Sequence, residues 1–522
     1  MDSSVTIPST FPVTCHTDFV EQDSIFVAIE GYADNGINYI RTAIEKGART
    51  IVVHHTVILD DELHSFIQKH NVVIERVDNT RKALAFLSAQ AAQFPAQKLK
   101  IIGITGTKGK TTTSFLLEHI LRSAGYKTAL ISSAKNRIGG HDFPAPLTTP
   151  QPDYLQQFLK IAVEHDVDYV IMEVAAQALT LHRVEGITFC GIIFTNFSLE
   201  HLEFYPTLDD YFAAKARIFL MATPDAPLLI NADDEHGRQL LKQLPIAIAY
   251  GFYTPSSNIS AILRYTPSGH SGRAEENKTF DGDPDWNNME IGAKGYLRAA
   301  KKNYLGSLLS NPTQLIELTI SHQNTAHNFT CPILFGAYNA YNIIAATSMA
   351  QELNIDIPTI QQALQTFAGV PGRLQKHVLP NGASCFIDYA HNPESFTAVL
   401  TTLRALTDHL IVVFGAGGGR DKSKRPMMGN IAAQIADIVI VTSDNPRLEN
   451  PYDITQDIVN GIQDEFRYKI VQELDRKRAI EAAYLFSDSG SIIALLGKGP
   501  DEYQIIGTTK HYFSEREIVE QL

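Results

Sequence analysis

Residues 101–121 read IIGITGTKGKTTTSFLLEHIL, an apolar run followed by a glycine-rich turn and an amphipathic run, which is the order strand, turn, helix. That order builds a phosphate-binding loop, because the first N–H groups of a helix lack backbone partners and point at any anion placed before them. The loop comprises Gly106, Thr107, Lys108, Gly109, Lys110, Thr111 and Thr112. In this reading the N–H groups from Gly106 to Lys110 face phosphate oxygens of ATP, the Lys110 ammonium reaches the β and γ phosphates, and the Thr111 hydroxyl ligates magnesium. Counting back from Gly109-Lys110-Thr111, the first glycine of the generic pattern would fall on Ile104, so the loop is one residue off that spacing.

A loop of this kind needs a buried strand behind it and a helix ahead. YVIMEV (169–174) and GIIFTN (191–196) alternate with helical stretches, which predicts an α/β fold with a mainly parallel sheet in a central domain spanning 98–369. Before it, IFVAIEG (25–31) and TIVVH (50–54) flank the helix-like YIRTAIEKGA, giving a small α/β domain over 1–97. Residues 254–332 break the rhythm with TPSGHSGRAEENKTFDGDPDWNNME, read as an inserted loop or hairpin. FAGVPGRLQ (367–375) suits a hinge, and a third, Rossmann-like α/β domain covers 370–522, with strand signals in SCFIDYA, LIVVFGAGGG, DIVIVTSDNPR and SIIALLGKG.

At 522 residues the chain exceeds what one hydrophobic core organises, and 44% hydrophobic with 19% charged residues is ordinary globular composition. A formal net charge of −13 argues against a nucleic-acid-binding face. The first twenty residues lack a basic start and an apolar core like a signal peptide's, and no apolar run approaches the ~18 residues of a membrane span, so a cytoplasmic location without membrane contact is expected. Cys15, Cys190, Cys331 and Cys385 form no CxxC pair and read as structural thiols.

The spacing G-x-T-G-T-x-G-K-T-T resembles that of the Mur ligase superfamily, ATP-dependent enzymes that add amino acids to the UDP-MurNAc peptide of peptidoglycan. The likeness continues through LTTP (147–150), the MEV strand with Glu173, TNFSLEHLEF (195–204), YFAAKARIF (211–219), GAYNAYN (336–342), VPGRLQ (370–375), DYAHNP (388–393) and TSDNPRLENP (442–451). The N-terminal IFVAIEGYADNG resembles the branch that adds the third peptide residue. The resemblance implies a monomer acting on small molecules: the γ-phosphoryl of ATP passes to a substrate carboxylate, and an incoming amine displaces phosphate from the acyl phosphate. It also implies two magnesium ions, one on Thr111 and Glu173, the other on His201 and a Lys215 that has taken up CO2 as a carbamate. Lys110, Glu173, His201 and Lys215 are then the catalytic set. Asn196 and Asn339 are expected at the base, with Arg373 and Asp388 at phosphates and ribose after closure of the third domain.

The same resemblance divides the substrates. SDNPR (443–447) is the form found in diaminopimelate-adding relatives, and lysine-adding ones usually lack its arginine. The extra carboxylate of diaminopimelate suits the two-pronged guanidinium of Arg447, with Arg420 in support and Asp444, Asn445, Gly497 and Asp501 around the amino acid. Thr17, Thr148, Thr149 and Arg183 are expected on UDP-MurNAc-L-alanyl-D-glutamate. Three departures stand out: GKGPD at 497–501 where relatives have GKGHE, Ala175-Ala176-Gln177 where they have Ser-Ser-His, and His16-Thr17-Asp18 where they have Asp-Ser-Arg. Four other readings compete: a lysine-adding ligase, a folylpolyglutamate or cyanophycin type, a non-catalytic binding protein, and a motor-type nucleotide hydrolase. The N-terminal domain, the retained catalytic set and the lack of any helicase or transport motif weigh against them.

Overall fold

A computed structural model describes residues 5–31, 34–145, 147–198, 200, 204–252, 259–264, 316–322 and 325–522. The chain forms two compact units, the first made of 1–262, 319–329 and 341–367, the second of 263–318, 330–340 and 368–522.

The first unit holds two sheets. Phe11–Thr14, Val20–Val27, Thr50–His54 and Val73–Val77 pair in that order, all parallel. The larger sheet runs Thr325–Cys331, Ile316–His322, Ile259–Arg264, Ile248–Gly251, Leu228–Asn231, Gly191–Phe194, Lys100–Thr105, Tyr169–Glu173, Thr128–Ile131, Asn136–Ile138 and His141–Phe143. Its centre is parallel: Lys100–Thr105 lies between Gly191–Phe194 and Tyr169–Glu173. Parallel strands covered on both faces read as continuous apolar runs, and Ile101, Ile102, Ile104, Val170, Ile171, Met172, Ile192 and Ile193 are all fully buried. The first sheet packs on the second through the helices Thr80–Ala91 and Pro152–Glu164, and the Thr14 hydroxyl donates to Asp153 at 2.8 Å across that seam.

The stretch 254–332, read as an inserted loop or hairpin, contributes strands to this sheet at both of its ends. Ile259–Arg264 continues the sheet in parallel, and Ile316–His322 and Thr325–Cys331 complete its edge. Ile316, Leu318 and Ile320 are buried at every second position, the alternation of a half-covered strand. The polar stretch that suggested a loop, 266–290, lies outside the described residues.

In the second unit the sheet order is Gln375–Val378, Ser384–Asp388, Ile492–Leu496, Leu410–Phe414, Ile438–Val441 and Ile470–Gln472, parallel except for the first pair. Helices cover both faces, giving two core clusters, one around Phe396, Leu400, Val412 and Phe414 and the other around Ile387, Ile411, Ile480 and Leu495. The strands' carboxyl ends deliver Asp388, Phe414, Val441 and Leu496 to one rim, where ligands bind in open parallel sheets.

Candidate active site

In the first unit the phosphate loop leaves the strand Lys100–Thr105 and enters the helix Lys110–Ser123. Two of its glycines are dictated by sterics. Gly106 has φ +139°, and a Cβ there would stand 2.0 Å from the Thr195 hydroxyl; Gly109 has φ +85°, and a Cβ there would stand 2.3 Å from Asn342 Oδ1. Gly109→Ala therefore combines backbone strain of about 1–2 kcal/mol with a collision. We expect it to weaken ATP binding at least tenfold by calorimetry, with the melting temperature changed by only a few degrees.

Residues from the next strand's turn grip the loop from behind. The Asn196 amide accepts from Lys108 N–H at 2.9 Å and donates to Lys108 C=O at 3.0 Å, while the Thr195 hydroxyl donates to the same carbonyl at 2.6 Å. Asn196 thus spends both ends of its amide on the loop backbone. The Lys110 ammonium donates to the carbonyls of Gly106 and Thr107 at 3.0 and 2.9 Å, curling over the loop's mouth. Thr107 and Thr112 are buried, and the Thr107 hydroxyl accepts from Ser198 N–H at 3.0 Å.

A magnesium ion fits beside it. The Thr111 hydroxyl lies 2.8 Å from Ser133 Oγ, and Glu173 Oε1 accepts from Ser133 N–H at 2.9 Å, so Thr111 and the Glu173 carboxylate converge on one serine. Hard oxygens of this kind are what magnesium takes. Ser133 is legible only in retrospect: it follows the neighbouring strand Thr128–Ile131, whose carboxyl end meets that of Tyr169–Glu173.

Lys215 sits on the helix Leu208–Ala216, 2% exposed, with its Nζ donating to Gly106 C=O at 2.7 Å. Burial, reinforced by the Lys110 ammonium, holds this amine well below the ordinary lysine range. Lowering the proton affinity of the amine favours its neutral form, which can attack CO2, form the C–N bond and shed a proton, becoming an oxygen donor; the chemistry of the donor set fits a second cation. His201, expected on that cation, lies outside the described residues. Among the described residues no three His, Cys, Asp or Glu side chains cluster for a metal.

Thr149 is buried, its hydroxyl donating to Glu173 C=O at 2.9 Å and accepting from Ala175 N–H at 3.0 Å, so it ties the LTTP turn to the strand end. Thr148 beside it is half-buried. Arg183 donates from Nη1 to Thr149 C=O at 3.0 Å, and its Nε is buried without a hydrogen-bond partner among the described residues. A guanidinium with an orphaned buried donor fits an anionic substrate. Thr17, half-buried, opens a short 3-10 turn; its carbonyl and the Asp18 carboxylate both receive the Lys46 ammonium, at 3.0 and 3.2 Å.

In the second unit Asn339 is buried and donates to Phe335 C=O at 2.8 Å. Asp388 uses one oxygen for Leu374 N–H and the other for Ala390 N–H, at 2.7 and 2.8 Å, and burial pushes its carboxyl up against the opposing pull of Arg373. The Arg373 guanidinium stacks 4.7 Å from the centre of the Tyr389 ring. Asp444 lies 3.3 Å from the fully buried Lys498 ammonium, and a Cβ at Gly497, φ +111°, would approach Asp444 Oδ2 to 2.9 Å. Asn445 accepts from Ile505 N–H at 2.8 Å. Arg447 has φ +52° and donates from Nη1 to Gly418 C=O at 2.8 Å. A Cβ at Gly417 would lie 3.0 Å from Arg447 Nη1 and 3.6 Å from Arg420 Cγ, so both arginines flank one glycine. Burial pushes the Asp501 carboxyl up, with Lys498 opposing.

With that geometry in hand, the Mur ligase middle domain matches residues 104–350 and the Mur ligase glutamate ligase domain matches 372–499. The chain belongs to the Mur ligase family. Two relatives named UDP-N-acetylmuramoyl-L-alanyl-D-glutamate–2,6-diaminopimelate ligase cover nearly the whole chain. The one from Clostridium botulinum is 34% identical over 508 residues, spanning 96% of this chain and 93% of its own. The one from Aquifex aeolicus is 35% identical over 525 residues, spanning 100% and 95%. A solved structure of a ligase of the same name superposes with a TM-score of 0.60 at 25% identity, covering 98% of this chain and 94% of that one. The Mycobacterium tuberculosis folylpolyglutamate synthase shares the Mur ligase fold over 80% of this chain and 92% of its own, with a TM-score of 0.56 at 16% identity.

Proposed function

We infer that this Mur ligase joins the amine of meso-diaminopimelate to the D-glutamyl carboxylate of UDP-N-acetylmuramoyl-L-alanyl-D-glutamate, with ATP as the energy source. The observation that carries the reading is Lys215, a buried amine hydrogen-bonded to the first glycine carbonyl of a phosphate loop whose threonine and neighbouring glutamate share a serine. A carboxylate-activating enzyme, which must bring two anions together, has use for a second cation there, and a carbamate on this amine would give that cation an oxygen ligand.

Bound ATP with two magnesium ions supplies the phosphoryl group and neutralises the charge of the approaching anions. The loop N–H groups and Lys110 hold the phosphates, Thr111 and Glu173 hold one ion, and Lys215 as its carbamate, with His201, holds the other. Asn339, Arg373 and Asp388 serve the nucleoside side. Asn196 acts on the nucleotide through the loop it braces. Thr17, Thr148, Thr149 and Arg183 hold the acceptor, Arg183 offering its unpartnered Nε to an anionic group. Once the acceptor carboxylate carries the phosphoryl group, the amine attacks its carbon, a C–N bond forms, and the C–O bond to phosphate breaks. Asp444, Asn445 and the Gly497 turn orient the amino acid, Asp501 takes its distal ammonium, and Arg420 and Arg447 its distal carboxylate.

The domain division 1–97, 98–369 and 370–522 belongs to the same proposal, supported by the separate N-terminal sheet. So does a monomer working in the cytoplasm; among the described residues no helix is long and apolar enough to cross a membrane. The test is phosphate release by the full chain with magnesium, ATP and UDP-MurNAc-L-Ala-D-Glu. Release is expected at least a hundredfold faster with meso-diaminopimelate than with lysine, and a preference for lysine, or release that ignores both amines, overturns the reading.

A further inference from the structure

We propose that Glu449 and Arg425 are positioning residues that set the spacing between Arg420 and Arg447, and thereby the preference for an amino acid with a second carboxylate. This rests on the substrate reading above and adds the groups that make it selective.

The two arginines ride on different loops, 415–420 after the strand Leu410–Phe414 and 443–449 after the strand Ile438–Val441. The Arg447 backbone is pinned to residues 505–507 by hydrogen bonds on both sides, so its distance from Arg420 depends on how the 415–420 loop is held against it. Between them stands Glu449. Its Oε1 accepts from Gly419 N–H at 2.5 Å and from Arg425 Nη2 at 3.0 Å, and its Oε2 accepts from Arg425 Nη1 at 3.0 Å. The fork of Arg425 thus takes the carboxylate with two parallel bonds, the geometry that fixes orientation as well as distance. The same guanidinium reaches Gly417 C=O at 3.2 Å and Asp457 Oδ2 at 2.9 Å, so it ties the glycine loop to the helix Pro451–Asn460. Arg425 itself is fully buried on the helix Lys424–Ile435 and cannot meet a substrate. Arg425 and the Gly419 N–H hold the Glu449 carboxyl down to about 2, so the clamp is charged throughout the working range.

The loops interlock where the clamp closes. Gly418 N–H donates to Asn445 C=O at 2.9 Å, and a Cβ at Gly418 would stand 1.9 Å from Pro446 C=O, so the backbones touch. Arg447 then reaches Gly418 C=O, one residue from the N–H that Glu449 holds. A shift of the glycine loop relative to Glu449 moves Arg420 and Arg447 apart together. Lysine has no distal carboxylate to bridge them and is indifferent to their spacing.

Glu449→Gln keeps the shape but turns N–H donors toward the guanidinium. With the full chain, KM for meso-diaminopimelate is expected to rise tenfold or more, kcat to fall less than threefold, and KM for ATP to stay within twofold. In an Arg447→Asn background the same change is expected to have almost no further effect on the diaminopimelate KM, because the clamp acts through Arg447. Arg425→Lys, which keeps the charge and loses the fork, is expected to move the diaminopimelate KM in the same direction and serves if Glu449→Gln folds poorly. An unchanged diaminopimelate KM in both variants, parallel rises in every KM, or full additivity with Arg447→Asn overturns the proposal while the substrate reading stands. A wild-type chain that releases no phosphate with diaminopimelate overturns the substrate reading and this proposal with it.

Discussion

Lys215→Met abolishes amide formation, by about a thousandfold or more, and leaves the fold standing. The magnitude follows from the role: a group that holds a charge-neutralising cation beside two reacting anions contributes several kcal/mol to the barrier, and each 1.36 kcal/mol is tenfold in rate. Methionine is the informative replacement because it fills the buried channel of the lysine stem with an apolar, unbranched chain. Gly106 C=O does not become an orphan, since the Lys110 ammonium already donates to it at 3.0 Å. ATP binding measured by calorimetry should change less than fivefold. Depleting the wild-type preparation of CO2 at pH 6.5 should lower its activity, and bicarbonate should restore it, while the variant responds to neither. The direction in pH is fixed by the amine: burial lowers its proton affinity, so the neutral form that attacks CO2 is lost as pH falls through that lowered value. Full activity of Lys215→Met would remove the cation-holding role.

Arg447→Asn lowers kcat/KM for meso-diaminopimelate by about a hundredfold to a thousandfold and leaves that for lysine within a few-fold. Two charge-assisted hydrogen bonds at about 1.5–3 kcal/mol each are at stake. Asparagine is chosen because Arg447 has φ +52°, a conformation that Asn tolerates and most side chains do not. Its backbone is pinned on both sides, with Arg447 N–H donating to Ile505 C=O at 3.1 Å and Gly507 N–H donating to Arg447 C=O at 2.8 Å, so loss of the side chain does not release the turn. Steady-state kinetics with both amines decide it. Equal losses for both, or a loss for lysine alone, would remove Arg447 from the distal carboxylate.

Much of this protein was legible in one dimension. The parallel strands are legible because both faces are covered and runs such as LIVVF or IIALL must be almost wholly apolar, as IIALL at 492–496 is. The phosphate loop was legible because its glycines answer a local demand, positive φ and no room for a Cβ. The strand Ile316–His322, second from the sheet's edge, is poorly legible: its IELTISH alternation is a weak signal over seven residues, next to a long polar stretch that dominates the composition. Nothing local in LDDYFAAKARIF distinguishes Lys215 from a surface lysine, and its role came only through the resemblance; the structure buries it.

Sequence alone determined which chemical groups exist and the order in which strands and turns present them, because propensity, burial pattern and glycine sterics act over a few residues. The tertiary structure decided who meets whom. Asn196 braces Lys108 from 88 residues away, Ser133 reaches Glu173 across 40, and Arg425 reaches Glu449 across 24. Those distances collapse only when neighbouring strands of a parallel sheet end at one rim, and what a carboxylate or an amine can do there depends on burial and nearby charge, which no local stretch of sequence contains.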